Sequence, residues 1–314
     1  MPKTKPISVE EPAMKLSTLL TLALAAALSS CGGSVNGGKR TVIQNKGSDT
    51  LVNVAQTWAE EYRKIHPDCA VAVSGGGSGT GIAAMINGTV DIANSSREMK
   101  EREMKMARDN GNEPVPFIVG YDALAIFVHK DNPIESITIE ELAAIYGEGG
   151  EITSWSQLGI TVPGAARDEM VRVSRQNNSG TYAYFREAVL GREGNYKLGS
   201  LDMHGSKDVV ELVQNTRSAI GYSGLAYATD HVKMLKIAKA DGETAYAPSV
   251  ENTLSKAYPI ARPLFMYTLG KPVGKLKAYL DWCMSPQGQK IVESSGYVSV
   301  PSGPNTAPGH PGNP

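Results

Sequence analysis

The chain has 314 residues, enough for about two domains. Hydrophobic residues make up 41% and charged residues 20%, a composition that excludes a long disordered chain and predicts a folded protein with an ordinary core. The 31 Lys and Arg residues and 32 Asp and Glu residues give a net charge of −1. Bulk electrostatic attraction to nucleic acid or to anionic lipid is therefore not expected, although a local basic pocket is compatible with this balance.

An apolar stretch over residues 16–28 follows Met14 and Lys15 near the N-terminus. A membrane-spanning helix needs about 20 apolar residues, so this stretch is too short to cross a bilayer. A short apolar stretch behind a positive charge is instead typical of a signal peptide. We therefore expect the protein to be exported.

The stretch ends in Leu28-Ser29-Ser30-Cys31-Gly32, which resembles the lipobox of bacterial lipoproteins. The resemblance implies cleavage before Cys31 and attachment of lipid to its sulfur. It predicts a signal peptide with an N-terminal extension over residues 1–30 and a lipidated linker over 31–40. The mature protein would be periplasmic or on the cell surface, anchored by Cys31. Met1 and Met14 both remain possible starts.

The remaining two cysteines are Cys69 and Cys283, and their separation matches no metal-binding or redox motif. They can form a disulfide in an oxidising compartment or remain buried thiols, and both possibilities stay open. The five histidines are scattered and share no helical spacing with a cysteine or a carboxylate cluster. The sequence therefore predicts neither a metal site nor a cofactor.

The first part of the folded region alternates strands with helices. Val52, Ala55, Ala59 and Tyr62 recur at steps of three and four, which predicts one apolar helix face. Predicted strands are 41–45, 70–73 and 91–94, and predicted helices are 51–65, 82–87 and 97–110. This order predicts a mostly parallel sheet with helices on its faces.

The pattern restarts after Pro116. Predicted strands are 117–120, 123–128 (joined to the preceding strand through Tyr121 and Asp122), 171–174, 219–222, 232–238 and 263–269. Predicted helices are 138–145, 182–189, 207–214, 273–284 and 287–293, the first of them opened by a capping box at Thr138 and Glu141. A Pro- and Gly-rich tail over 302–314 is predicted to be disordered.

Two segments, near residues 117–124 and 257–264, are predicted to cross between two α/β lobes. Lobe 1 would comprise residues 41–120 plus 262–301, and lobe 2 residues 121–261. In such proteins the cleft between the lobes is the expected ligand site.

Three loops, at residues 47–51, 74–81 and 175–181, each lead from a predicted strand into a helix and are rich in Gly, Ser and Thr. A helix N-terminus leaves unpaired N–H groups and a partial positive charge, which favours anions. Arg175 adds a full charge with a planar fork of donors that suits a tetrahedral oxyanion. Any one such loop alone is more often a capped helix start, but three together predict an oxyanion site.

Other glycine-loop and nucleophile motifs do not fit. The run 75–81 lacks the Lys-Ser/Thr ending of a P-loop and the spacing of a dinucleotide-binding loop. No serine stands in a Gly-x-Ser-x-Gly motif, so a hydrolase nucleophile is not indicated. The sequence therefore predicts a binding protein and not an enzyme.

The motifs GSDTL, GGGSGTG, NGTVDIANSSR and RQNNSGT, in this order, resemble the phosphate-binding proteins of bacterial phosphate ABC transporters. The resemblance covers roughly residues 41–300. It implies an α/β, two-lobed periplasmic-binding-protein fold (type II), with mixed sheets flanked by helices. It also implies inorganic phosphate as ligand and the permease and ATPase subunits of an ABC transporter as partners, with a monomeric state and no nucleic acid.

In that family one phosphate is held by hydroxyls, backbone amides and an arginine from both lobes. The matching positions here are Thr50 and the Leu51 amide, Ser78, Arg175, Ser179, the Gly180 amide and Thr181. The resemblance thus assigns these residues to phosphate binding.

One position departs from the family pattern. Many members have an Asp that accepts the proton of the bound phosphate, and the matching residue here is Ser96. Our hypothesis is that Asp49 supplies the missing acceptor; the alternative is that Asp49 caps the first helix. Arg97 would contact the ligand, neutralise Asp49 or face solvent. Asn177 replaces an Asp that often pairs with the arginine.

Three other functions stay open from the sequence. The protein could bind another tetrahedral oxyanion, such as sulfate, molybdate or arsenate. It could be an exported phosphatase, although no paired base or metal-ligand cluster supports this. It could also be an adhesion or signalling protein that kept a phosphate cleft.

Overall fold

The computed structural model describes residues 41–300. The predicted signal peptide, the linker with Cys31 and the tail over 302–314 lie outside the described residues. The strands are β1 (Thr41–Gly47), β2 (Cys69–Ser74), β3 (Ile92–Ser95), β4 (Pro114–His129), β5 (Ser136–Thr138), β6 (Val171–Arg175), β7 (Leu201–Met203), β8 (Ala219–Gly224), β9 (Val232–Met234), β10 (Lys236–Ala238) and β11 (Ala261–Leu269). The α-helices are α1 (Val52–Ile65), α2 (Ser78–Ile86), α3 (Glu101–Asp109), α4 (Ile139–Tyr146), α5 (Gly180–Phe185), α6 (Ser206–Asn215), α7 (Val250–Leu254), α8 (Gly274–Cys283) and α9 (Pro286–Ser294).

Most strands belong to one mixed sheet in the order β2-β1-β3-β11-β4-β8-β6-β7, with β9 paired to β4. Strand β1 runs parallel to β2 and β3, and β6 runs parallel to β7 and β8. Strand β11 is antiparallel to both β3 and β4. The largely parallel pairing predicted for the first part is thus confirmed, with β11 as an antiparallel addition.

Strand β4 is continuous, whereas the sequence predicted two strands joined through Tyr121 and Asp122. Its first part pairs with β11 and its second part pairs with β8, so β4 belongs to both halves of the sheet. Asp122 lies opposite Arg262 in the β4–β11 ladder. The predicted break is wrong because this cross-strand charge pair lets a carboxylate remain within a buried strand.

Helices cover both faces of the first half of the sheet. On one face, Trp58 and Tyr62 of α1 share a hydrophobic cluster with Tyr279 of α8. On the other face, Ile82 of α2 packs in a cluster with Phe265 of β11. Burial of each such large side chain contributes roughly 1.5–3 kcal/mol.

The second half of the sheet is also buried on both faces. Along β4, Leu124 and Ile126 belong to the cluster with α4, whereas Ala125 and Phe127 belong to the cluster with α6. Successive strand residues point to opposite faces, so this continuous apolar run is the pattern of a strand covered on both sides. The sheet with helices on both faces is the α/β arrangement predicted.

Several predicted boundaries shift. Helix α2 begins at Ser78, earlier than predicted, because Gly76 and Gly77 have φ of 111° and 90° and complete the turn just before it. Helix α3 begins at Glu101, and the helix predicted over 182–189 is α5 followed by a π-helical turn at Arg186–Leu190. The strand predicted over 232–238 is two strands, β9 and β10.

The capping box at the start of α4 is confirmed. Thr138 Oγ1 accepts from the Glu141 amide at 3.0 Å, and the Thr138 amide donates to Glu141 Oε2 at 2.8 Å. Of the two outcomes left open for Cys69 and Cys283, the structure has two buried free thiols. Burial raises the pKa of both thiols, which makes them poorly reactive.

Candidate functional site

The three predicted oxyanion loops lie at the carboxyl ends of β1, β2 and β6. The first loop continues from β1 into a 3-10 helix at Asp49–Leu51, the second leads from β2 into α2, and the third leads from β6 into α5. The segment that follows β3 carries Ser96 to the same place. Because β1, β2 and β3 run parallel, their carboxyl ends meet at one edge of the sheet.

Four hydroxyl side chains from these segments form a buried cluster, at most 1% exposed, which we call the hydroxyl cluster: Thr50, Ser78, Ser96 and Thr181. Thr50 Oγ1 and Thr181 Oγ1 are 3.1 Å apart, and Ser78 Oγ and Ser96 Oγ are 3.4 Å apart. The Ser96 amide donates to Ser78 Oγ at 3.1 Å. All four were predicted site residues, and the structure brings them together from both halves of the sheet.

Arg175 ends β6 and is only 1% exposed. Its Nη2 donates to Asp49 Oδ2 and to the His204 carbonyl, both at 2.9 Å, and its Nη1 donates to Ser206 Oγ at 2.9 Å. The Nε atom is buried without a hydrogen-bond partner among the described residues. Burial lowers the pKa of the guanidinium and the Asp49 charge opposes this shift. An unpaired N–H on a buried guanidinium is a donor available to an anion.

Asp49 lies in the first loop and contacts both the second and the third loop. Its Oδ2 accepts from Arg175, and its Oδ1 accepts from the Gly76 amide at 2.9 Å. Neither the 3-10 helix at Asp49–Leu51 nor α1 has a side-chain cap, so the alternative in which Asp49 caps the first helix does not describe its contacts. Each carboxylate oxygen has a second lone pair, so both can still accept a further hydrogen bond.

Ser179, Gly180 and Leu51 occupy more local roles. Ser179 Oγ caps α5 by accepting from the amides of Thr181 and Tyr182 at 3.1 and 3.4 Å. A methyl group at Gly180 would overlap Ser78 Oγ and would lie 2.6 Å from Ser96 Oγ, so only glycine permits this approach of the two loops. The Leu51 amide donates to the Ser48 carbonyl at 3.0 Å within the 3-10 turn.

Arg97 contacts neither Asp49 nor the hydroxyl cluster. Its Nη1 and Nη2 donate to the two carboxylate oxygens of Glu103 at 2.8 and 2.7 Å. The charge of Asp49 is balanced instead by Arg175. The substituted position Asn177 is exposed, while the adjacent Asn178 bridges loops by donating to the Gly76 carbonyl at 3.0 Å.

Sequence reasoning missed a second arginine of the site, Arg262 of β11. Its Nη2 donates to Thr181 Oγ1 at 3.0 Å and to Thr50 Oγ1 at 3.4 Å, and its Nη1 donates to the Ser96 carbonyl at 3.2 Å. The same guanidinium forms an ion pair with Asp122 at 2.9 Å, and both side chains are fully buried. Burial raises the pKa of Asp122, and the Arg262 charge opposes that shift.

The sequence did contain a signal for this pair. Asp122 and Arg262 are single charged residues within otherwise apolar segments, FIVGYDALAIFVH and ARPLFMYTL, which were predicted to cross between lobes. A charge is almost never fully buried without a partner. Two opposite charges at the two predicted crossings therefore indicated a contact between those crossings.

Two tyrosines donate hydrogen bonds to backbone carbonyls of the first loop. Tyr227 Oη donates to the Asp49 carbonyl at 2.6 Å, and Tyr297 Oη donates to the Thr50 carbonyl. Burial raises the pKa of both phenols, so both stay neutral donors. Neither residue was singled out by the sequence. The described residues 41–300 hold no group of three or more His, Cys, Asp and Glu suited to a metal ion.

The family model of the PBP superfamily domain matches residues 34–287, which include the sheet and the loop site described above. The Phosphate-binding protein PstS of Pseudomonas aeruginosa is 35% identical over 271 residues, which is 83% of each chain. Protein SphX of Synechococcus elongatus is 32% identical over 309 residues, covering 95% of this chain and 89% of that protein. The chain therefore belongs to the family of the phosphate-binding protein PstS.

A solved structure agrees with this assignment. The phosphate ABC transporter substrate-binding protein of Clostridium perfringens, solved with bound phosphate, has a TM-score of 0.73 and 29% identity. The match covers 83% of this chain and 100% of that chain. The predicted two-lobed periplasmic-binding-protein fold is confirmed, and the family is one of substrate-binding transport proteins and not of enzymes.

Proposed function

We propose that the protein binds inorganic phosphate outside the cytoplasmic membrane and delivers it to the permease and ATPase subunits of a phosphate ABC transporter. The observation that carries the proposal is the convergence of four buried hydroxyls with two buried arginines, Arg175 and Arg262, at one point of the fold. Hydroxyls and guanidinium groups are the donors that a tetrahedral oxyanion requires. The printed names of the relatives, PstS among them, support phosphate as that oxyanion.

Closure of the two lobes around phosphate is expected because the hydroxyl donors come from both lobes. We take lobe 1 as residues 41–120 plus 262–301 and lobe 2 as residues 121–261, with Thr50, Ser78 and Ser96 in the first and Thr181 in the second. An anion bound by both sets bridges the lobes and favours the closed state. Micromolar affinity requires about 8 kcal/mol, which several charge-assisted hydrogen bonds in a buried site can supply.

Selectivity would rest on Asp49. Phosphate at neutral pH carries a proton that a carboxylate can accept as a hydrogen bond, whereas sulfate carries none and is repelled by the same carboxylate. Ser96 replaces the acceptor found in many family members, and Asp49 is a carboxylate that contacts the second and third loops through Gly76 and Arg175. Asp49 would thus be the group that distinguishes phosphate from sulfate.

Arg262 would be the second cationic ligand group. Its Nη2 hydrogen-bonds the hydroxyls that the family resemblance assigns to phosphate. Asp122 balances the charge of Arg262 as Asp49 balances that of Arg175. Each arginine would therefore orient a fork of donors without leaving an uncompensated buried charge in the unliganded protein.

Export and anchoring complete the proposal. The family supports a protein outside the cytoplasmic membrane, and the lipobox resemblance supports a lipid anchor on Cys31. Within residues 41–300, no helix is long and apolar enough to span a membrane. In cells supplied with a labelled fatty acid, the protein should carry the label and a Cys31→Ser variant should not; equal labelling of both would contradict the anchor.

The binding proposal is tested by calorimetry of the purified protein with phosphate, sulfate, molybdate and arsenate. We expect tight binding of one phosphate and much weaker binding of sulfate. An Arg175→Ala variant should lose most phosphate affinity, and circular dichroism should show that it is still folded. Tighter binding of another oxyanion, or tight phosphate binding by the folded variant, would overturn the proposal.

A further inference from the structure

Outside the hydroxyl cluster lies a groove of two adjoining cavities of about 810 and 670 Å³, which we call the outer groove. Both cavities are lined by Arg97, Lys100, Arg102, Ala183 and Arg186. Lys100 and Arg102 stand at the start of α3, and Arg186 follows α5. The cationic residues of the outer groove therefore come from both proposed lobes.

Three of these cations are not neutralised. Arg97 pairs with Glu103 at 2.7 Å, and elsewhere in the groove Arg192 pairs with Glu187 at 3.3 Å. Within residues 41–300, Lys100, Arg102 and Arg186 form no ion pair; Arg186 makes only a 3.4 Å hydrogen bond to the Gly194 carbonyl. These three residues carry the excess positive charge of the outer groove.

The acidic residues that face the groove do not cancel this excess. Glu101 lies 3.7 Å from Arg108, and Glu187 is paired as described. Among the groove's carboxylates, Glu98 is the one without an ion pair in the described part of the chain. Burial and the charges of Arg97, Arg102 and Arg186 lower the pKa of Lys100, and the charge of Glu103, which also lines the groove, opposes this shift.

The outer groove adjoins the phosphate site through Arg262. Arg262 lines one of its cavities, and the same side chain donates to Thr50 and Thr181 of the hydroxyl cluster. Arg97 directly follows Ser96 in the chain. Arg262 thus borders both the outer groove and the hydroxyl cluster.

We propose that Lys100, Arg102 and Arg186 form an outer capture site for small oxyanions, from which phosphate enters the inner site. This inference rests on the proposed phosphate binding. A cleft lined by charge of one sign concentrates counter-ions and raises association rates by roughly 10- to 1,000-fold. Long flexible cations attract any oxyanion, so the outer site is unselective and the choice between phosphate and sulfate is made at the hydroxyl cluster.

The test is stopped-flow measurement of phosphate binding over a range of ionic strengths. The variant carries Lys100→Ala, Arg102→Ala and Arg186→Ala together. At low salt its association rate should fall about tenfold relative to the unmodified protein, with an unchanged dissociation rate. The association rate should also depend less on salt concentration, because the three charges that salt would screen have been removed. A Glu98→Gln variant should associate faster.

A matched control removes three exposed lysines that do not line the groove: Lys239→Ala, Lys271→Ala and Lys290→Ala. It changes the net charge equally, so an equal fall in its association rate would assign the effect to net charge and overturn the capture site. An unchanged rate and salt dependence in the groove variant would do the same. If the unmodified protein binds no phosphate at equilibrium, the proposed function fails instead, which calorimetry detects separately.

The outer site is also tested by sulfate at matched ionic strength. Sulfate should slow phosphate association in the unmodified protein more than chloride does, because it occupies the outer groove. In the groove variant the two salts should act alike. Equal effects of both salts in the unmodified protein would show that no oxyanion is held there, and the proposal would be wrong.

Discussion

Arg175 Nη2 lies 2.9 Å from Asp49 Oδ2, which joins the loop after β6 to the loop after β1. The guanidinium is buried and the carboxylate is nearly so, with 1% and 15% of the side chains exposed. The pair therefore connects the two halves of the site and balances the charge that would attract an anion. Changing either residue is expected to alter binding without disturbing the hydrophobic clusters.

Asp49→Asn should erode discrimination against sulfate. The amide is neutral, so it does not repel fully ionised sulfate, and it accepts a hydrogen bond from the phosphate proton less strongly than a carboxylate does. We therefore expect the ratio of phosphate to sulfate affinity to fall about tenfold, or 1.4 kcal/mol. Competition calorimetry measures this ratio. Asp281→Asn, on the exposed face of α8, removes the same charge and should leave it unchanged. An unaltered ratio in Asp49→Asn would reject the proposed acceptor.

Gly180→Ala should prevent the close approach of the two loops. The added methyl group would overlap Ser78 Oγ and lie 2.6 Å from Ser96 Oγ, both of which belong to the opposite half of the site. We expect at least a hundredfold loss of phosphate affinity, or about 2.7 kcal/mol.

The measurement for Gly180→Ala is thermal unfolding with and without phosphate. A ligand that binds only the folded state raises Tm, so the unmodified protein should be stabilised by phosphate and the variant should not. Without phosphate the variant should already melt at a lower temperature, because the approach of Gly180 to Ser78 is part of the structure itself. Full phosphate stabilisation of the variant would show that the loops approach each other differently.

Arg262→Lys should weaken phosphate binding while keeping the protein folded. Lysine retains the charge opposite Asp122 but loses the planar fork that reaches Thr50 and Thr181. We expect a loss of about tenfold in affinity by calorimetry. Asp122→Asn instead leaves a buried arginine without a counter-charge and should lower the free energy of unfolding by roughly 3–5 kcal/mol. Equal affinity in Arg262→Lys would remove Arg262 from the ligand set.

Glu103→Gln should destabilise the protein in a pH-dependent manner. Burial acts to raise the pKa of Glu103, but the hydrogen bonds and charge of Arg97 outweigh it, and the pKa is lowered. A carboxylate with a lowered pKa in the folded state contributes stability above its unfolded pKa, near 4.3, and that stability is lost as the pH falls through the folded pKa.

The Glu103→Gln variant should therefore unfold about 1–2 kcal/mol more readily than the unmodified protein at pH 7. The difference in the free energy of unfolding between the two proteins should become smaller as the pH falls below about 4.3, the pKa of glutamate in the unfolded chain. Urea unfolding at several pH values measures it, with Glu211→Gln on the exposed side of α6 as a neutral control. A difference that is constant with pH would show that the ion pair contributes no charge-dependent stability.

Local sequence patterns predicted many of the strands, a helix start and the loops of the site. The positions of the strands, the capping box at Thr138 and the three Gly- and hydroxyl-rich loops follow from periodicity and from residues with local preferences. Because parallel strands place their carboxyl ends at one edge, the clustering of Thr50, Ser78 and Ser96 also followed from strand order. The family resemblance then identified the class of ligand.

Tertiary structure alone decided the contacts between residues distant in the chain. No local pattern pairs Asp49 with Arg175, or places Arg262 of β11 against Thr50 and Thr181, because these contacts depend on which strands become neighbours. For Asp122 the sequence indicated an opposite charge at the other crossing, but only the structure showed that Arg262 lies directly across the ladder and that β4 is unbroken there. A sequence specifies local conformation through each residue's own preferences, whereas burial of charge is decided by the partner that the fold supplies.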